Sequence, residues 1–275
     1  MKHREFTFSC HDKKLYGQLW APDLVNAVVV LVHGMGEHSG RYTSSVVPFF
    51  LNRNFAVVTF DHFGHGKSEG RRGHCPSYKA LLDSAEEAIM KAKKEFPDRP
   101  VFLYGHSMGG NVVINYALRR NPDIVGVIAT SPFLRLAFQP PKWKITMGKL
   151  LQKIMPSITL PTALDTKAIS RDPEEVKKYE EDPLVHDKIS PNFSFPVMEA
   201  AEWALENAPS LQKPILLLHG TGDKIIDHTA TVEFAQKTQN ATLQLFDNGY
   251  HELHNDLEKD RFLNVIADWI QSKLP

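Results

Sequence analysis

The sequence predicts an α/β protein, with a mostly parallel sheet covered by helices on both faces. Apolar runs of strand length recur at 27–32, 55–60, 101–104, 124–129 and 215–218, as expected of strands buried on both sides. Between them, apolar residues step by three and four. Leu82, Ala85, Ile89, Ala92 and Phe96 mark one helix face; Phe262, Val265, Ile266, Trp269 and Ile270 mark another. Strand and helix alternate along the chain, the pattern of parallel strands joined by helical crossovers.

Taken in order, Phe6, Phe8 and Cys10 alternate with polar residues, and a turn at His11–Lys14 leads into a partner strand over 15–20. That opening reads as an antiparallel hairpin. The buried runs follow, with a more amphipathic strand at 242–246. From 133 to 208 the rhythm breaks. The stretch has no buried-strand signal but many prolines and short helical pieces, too long for a plain loop. It is expected to be a helical cap inserted after the sixth strand, leaving 1–132 and 209–275 as the core. Within it, Trp143, Met147, Leu150, Leu151 and Ile154 form an apolar stripe beside Lys142, Lys149 and Lys153, the composition of a lipid-facing helix or of one that covers a core. The piece 172–182 reads as a solvated helix of mixed charge.

The chain has 275 residues, 42% of them hydrophobic, which suffices for one large domain with a proper core. Its 32 basic and 32 acidic side chains cancel, which excludes a general nucleic-acid binder. Two cysteines, Cys10 and Cys75, make no disulfide framework and suit a reducing compartment. No apolar run approaches the roughly 18 residues of a spanning helix, and the N-terminus lacks the apolar stretch of a signal peptide. A cytoplasmic protein, peripheral to membranes at most, is expected.

The strongest chemical signal is Gly105-His106-Ser107-Met108-Gly109, between the strand at 101–104 and a helix-like run through Asn111, Val112, Ile114 and Ala117. Strand, tight turn and helix are what a nucleophile elbow requires. Glycines on either side of Ser107 permit the sharp turn that lifts its hydroxyl to the head of a helix. A serine needs a base, and the base needs an orienting acid. Downstream, Asp223 follows the strand at 215–218 and His251 follows the strand at 242–246, the chain order serine, acid, histidine. Asp227 is the rival acid, better placed to cap the following helix; His254 is the rival base.

The His33-Gly34-Met35-Gly36 loop after the strand at 27–32 supplies a third element. An oxyanion needs backbone donors, each worth about 3–4 kcal/mol of barrier. The Met108 N–H and the Met35 N–H are the candidates. Other signals are missing. His251-Glu-Leu-His254 continues with Asn255, so it is not a helix-borne zinc pair. There is no phosphate loop, and Gly64-His-Gly66 lacks the third glycine of a dinucleotide fingerprint. Neither metal nor cofactor is expected.

Five blocks carry a wider resemblance: His33-Gly-Met-Gly-Glu-His-Ser-Gly-Arg-Tyr42, Asp61-His-Phe-Gly-His-Gly-Lys-Ser-Glu-Gly70, Gly105-His-Ser-Met-Gly-Gly110, Asp182-Pro-Leu184 and Tyr250-His-Glu-Leu-His254. In this order the chain resembles the monoacylglycerol lipase family of α/β-hydrolases. The resemblance implies Ser107, Asp223 and His251 as the triad, Met35 and Met108 as oxyanion donors, and the cap as a lid. Met35 departs from the small residue common there, but only its N–H is used. The resemblance also maps a glycerol-headgroup cluster onto Glu37, Arg41 and His254. Those residues read equally well as a salt bridge bracing the loop. The expected substrate is a small lipid ester, first a monoacylglycerol, met through transient contact of the cap with a membrane surface. A lysophospholipid or short ester, acyl transfer to an alcohol, and a non-catalytic binding protein are the competing readings.

Overall fold

A computed structural model describes residues 1–274. Eight strands form the main sheet: β1 (Lys2–Cys10), β2 (Lys13–Ala21), β3 (Ala27–Val32), β4 (Phe55–Phe60), β5 (Val101–His106), β6 (Gly126–Thr130), and, after a long insertion, β9 (Ile215–Gly220) and β10 (Ala241–Phe246). Their spatial order is β1-β2-β4-β3-β5-β6-β9-β10. β1 and β2 pair antiparallel, β2 meets β4 antiparallel, and every later pairing is parallel.

Alternation of side chains divides the core. Val28, Val30 and Val32 face one apolar layer, built with α2 (Tyr78–Glu95), α3 (Met108–Arg120), α6 (Pro191–Asn207) and α7 (His228–Lys237). Ala27, Val29 and Leu31 face the other, built with α1 (Val46–Leu51) and α8 (Lys259–Ser272). Both faces of β3 are therefore buried, which is why it reads as an unbroken apolar run. After β3 the chain moves to one side for β4 and then to the other for β5. The strand order reverses between β3 and β5, and ligands in such sheets bind in the crevice beyond the carboxyl ends at that point. Gly34–Gly36 and Ser107 lie there.

Several boundaries differ from those read in the sequence. β1 starts at Lys2 rather than Phe6, because its first residues are exposed and carry no apolar alternation. The hairpin turn is only His11–Asp12, both with positive φ (46° and 57°), as a two-residue turn matching strand twist requires. β6 starts at Gly126, because the Ile124 N–H closes a tight turn on Pro122 O.

Between β6 and β9 lie α4 (Lys142–Ile154), α5 (Pro173–Glu181), α6 and a two-residue pairing of β7 (Leu160–Pro161) with β8 (Lys188–Ile189), too short to leave a sequence signal. α6 is fastened to the core by two buried asparagines on α3. The Asn111 amide donates to Val197 O and Phe133 O, and the Asn115 amide to Ala200 O. α4 rests on α6 where Gly148 meets the Phe195 ring; it has no buried residue. Trp143 and Ile154 are 66% and 67% exposed, and Met147 and Leu150 are exposed with them.

The Asn115 contacts make a direct prediction. Asn115→Ala removes a buried amide's hydrogen bonds to Ala200 O and Asn111 O and is expected to cost about 1–3 kcal/mol of stability. A denaturant titration of the parent and variant checks it.

Candidate active site

Ser107 joins the end of β5 to α3 with φ 54° and ψ −117°, a conformation that L-residues seldom adopt. The strain is held by its surroundings: the Ser107 N–H donates to Thr130 O, and Ser107 O accepts from the Phe133 N–H. The flanking glycines are required by contact. A Cβ on Gly105 would fall 2.3 Å from Gly109 O, and one on Gly109 would fall 2.1 Å from Val32 O. This close seat brings the first turn of α3 against the end of β3, so the two loops expected to supply oxyanion donors lie side by side. Among the described residues, neither the Met35 nor the Met108 N–H has a hydrogen-bond partner, and both residues line the same cavity as Ser107.

His251 Nε2 lies 2.9 Å from Ser107 Oγ, and its Nδ1 lies 2.6 Å from Asp223 Oδ2. Asp223 is itself held from three other directions. Its Oδ1 accepts the N–H groups of Ile225 and Ile226, and its Oδ2 also meets His219 Nε2 at 3.1 Å. The three residues are thus brought into one hydrogen-bonded line. The rivals are not in it. Asp227 caps α7, accepting from the Thr229 N–H and facing Arg135. His254 stacks on Tyr42 at 4.8 Å, fully buried, with neither ring nitrogen paired.

Electrostatics follow from this burial. Burial opposes the charged His251 ring, but the Asp223 carboxylate, with Glu252 and Glu37 beyond it, outweighs that and holds the pKa above the ordinary histidine value. Burial likewise opposes ionised Asp223, yet His251 and His219 keep it far below the usual carboxylate range. His106 packs against His251 at 4.9 Å and is kept neutral by burial. His62 and His65, packed against His33 in the loop after β4, are likewise buried and held neutral.

The cluster at 37, 41 and 254 divides. Glu37 accepts from the Gly34 N–H (2.6 Å) and from Tyr42 OH (2.7 Å), and lies 3.3 Å from Arg41 Nη1. Arg41 binds Glu252 through both terminal nitrogens, Nη2 at 2.7 Å, and its Cζ lies 4.6 Å from the centre of the Tyr179 ring. Glu37 and Glu252 line the cavity, whereas Arg41 and His254 stand behind them. Arg41 keeps Glu252 ionised despite burial, while burial pushes Glu37 upward. Glu252 and His219 were assigned no role from sequence. The only available signal was their position, Glu252 directly after the base and His219 four residues before the acid.

The cavity itself measures about 740 Å³. One wall is the loop at Gly34–Glu37 with Ser107, Met108 and His251; most of the rest is apolar and comes from 133–198, including Leu136, Phe193, Val197 and Met198.

The family described as serine aminopeptidase, S33, matches residues 24–258. Human monoglyceride lipase is 31% identical over 267 residues, covering 94% of this chain and 87% of that protein. The chain belongs to the monoglyceride lipase family of α/β-hydrolases. Within that family, the crystal structure of a monoacylglycerol lipase from Paleococcus ferrophilus superposes with a TM-score of 0.87 at 36% identity, covering 94% of this chain and 99% of the other. An abhydrolase domain-containing protein of Dictyostelium discoideum is 37% identical over 260 residues, and the chain spans 27% of that protein's length.

A pH dependence follows. Proton removal from Ser107 needs a neutral imidazole, so activity on an ester should fall about tenfold per unit once the pH drops below the raised His251 pKa. Asp223→Asn removes what offsets burial, so its acid limb should move to lower pH while kcat drops about 10³–10⁴-fold. A kcat/KM profile of both proteins between pH 5 and 9 checks the sign.

Proposed function

We propose that the chain is a serine hydrolase that cleaves monoacylglycerols to a fatty acid and glycerol. The observation that carries this reading is the Ser107–His251–Asp223 line, whose Ser107 and His251 open on a large, mainly apolar cavity. Ser107 Oγ attacks the ester carbonyl as His251 Nε2 takes its proton. Asp223 fixes the tautomer with Nδ1–H directed at its carboxylate, and favours the imidazolium that forms. The carbonyl oxygen gathers charge between the Met35 and Met108 N–H groups, unspent in the free protein and so available at no reorganisation cost. His251 returns the proton to the departing alcohol, and water, activated by the same imidazole, cleaves the acyl-enzyme.

The apolar walls suit an acyl chain, and the end bearing Glu37 and Glu252 suits glycerol hydroxyls, which can donate to those carboxylates. In this reading Arg41 and His254 serve the headgroup from behind, by holding the two carboxylates and the Tyr42 ring. The same arrangement disfavours a phosphate-bearing lysolipid at this end: Arg41 is shielded behind Glu37 and Glu252, and those two acids line the cavity there. Residues 133–208 act as the lid over the core of 1–132 and 209–275. The exposed apolar stripe of α4 among lysines supports brief docking on a lipid surface. Among the described residues, no helix is long and apolar enough to cross a membrane. Unpaired, buried Cys10 and Cys75 fit a cytoplasmic setting.

Ser107→Ala is expected to lower kcat on 1-monolauroylglycerol at least about 10³-fold with the fold retained; near-parental turnover would overturn the assignment. The parent should also prefer that substrate over its diacyl and triacyl relatives and over lysophosphatidylcholine in matched assays. Activity confined to short activated esters would keep the nucleophile and remove the lipid substrate.

A further inference from the structure

The short segment 168–172, between β7 and α5, touches both the cavity and the loop that carries His251. Ala168 and Ile169 line the cavity. From the same turn, Ile169 O accepts the Glu252 N–H at 2.7 Å, and Ser170 Oγ donates to Asn255 O at 2.7 Å. Arg171 goes further. Its backbone N–H donates to Asp256 Oδ1 at 2.9 Å, and its Nε–H reaches Oδ2 at 2.9 Å and Oδ1 at 3.1 Å. The Asp256 side chain is wholly buried, and its Oδ2 also accepts the Tyr250 N–H at 2.9 Å. One buried carboxylate therefore joins the insertion to the peptide that precedes His251.

Core contacts alone do not hold that loop. Asp223 grips the ring, and Ser131 Oγ donates to His251 O at 2.8 Å. The peptides on either side, at 250 and 252, are held by Asp256 and by Ile169 O. Arg171 also lies 3.5 Å from Glu258, which is partly exposed. Arg171 is thus the cation for the buried carboxylate, and removing it leaves a buried charge that the loop must move to solvate. A base displaced by about 1 Å can lose as much as 10²-fold in rate.

We infer that Arg171 and Asp256 are positioning residues for His251, carrying the placement of the cavity wall at 168–172 to the loop that holds the base. The inference rests on the serine-hydrolase reading above. An acyl chain in the cavity would press on Ala168 and Ile169, so the filled cavity and the well-placed base favour one another.

Arg171→Met removes the charge and keeps most of the side-chain stem. With 1-monolauroylglycerol, kcat is expected to fall about 10-fold, KM to stay within about twofold, and the acid limb of kcat to move to lower pH as the His251–Asp223 pair loosens. Arg171→Lys should recover at least about a third of the parental kcat. A lowered thermal midpoint with kcat and acid limb unchanged would overturn the inference, because that is what a merely structural brace predicts. Should Arg171→Met not fold, Ser170→Ala takes its place. It removes the hydroxyl's bonds to Asn255 O and from the Asp172 N–H, and must lower kcat in the same sense; parental kinetics there would equally overturn it. Ser107→Ala separates the two levels. Activity surviving in that variant sinks the hydrolase reading, whereas its loss alongside parental kinetics in Arg171→Met sinks this inference alone.

Discussion

The close seat of Gly109 on the carbonyl of Val32 is the constraint on which the site depends. With only 2.1 Å available where a Cβ would stand, the first turn of α3 can approach the end of β3 solely because that position is glycine. The approach sets the unpaired N–H of Met108 beside that of Met35 and directs the Ser107 hydroxyl toward His251. It happens where the strand order reverses, so the crevice between β3 and β5 is open rather than filled by a crossover. The strained backbone at Ser107 persists because β6 and the chain just beyond it hold both its N–H and its carbonyl.

Charge at this site is arranged by burial and pairing together. Asp223 stays ionised in a buried position because two histidines and two backbone N–H groups surround it. Next to it, Arg41 is shared by Glu37 and Glu252, so the two acids settle oppositely: Glu252 is held as carboxylate and Glu37 is pushed toward protonation. The same network ties the glycine loop to the base loop, since Glu37 receives the Gly34 N–H while Glu252 directly follows His251.

The insertion does two jobs at once. Its inner residues make most of the apolar wall, and its polar turns tie down loops of the core. His186 N–H donates to Gly36 O at the oxyanion loop, and the 168–172 segment binds the His251 loop. Its outer face is different: α4 carries large apolar side chains that stand exposed among the described residues.

Much of this was legible in the residues themselves. Continuous apolar runs revealed the central strands because both of their faces are buried, and a serine between two glycines at a strand-to-helix junction has few other uses. Asp223 and His251, which the structure joins to Ser107 in one hydrogen-bonded line, could be singled out because each follows a strand at the carboxyl edge of the sheet. Asp223 could be preferred to Asp227 on local grounds too, since a helix cap is a matter of neighbouring backbone. Tertiary structure alone decided the partners of buried charges. No spacing in the chain relates Arg41 to Glu252, 211 residues apart, or Arg171 to Asp256, 85 apart. Nor could it tell that Arg41 and His254 lie behind the cavity wall and Glu37 in it. Sequence periodicity encodes which face of an element is buried; which side chains then meet across that buried space depends on how several elements pack, and no single stretch of chain carries that information.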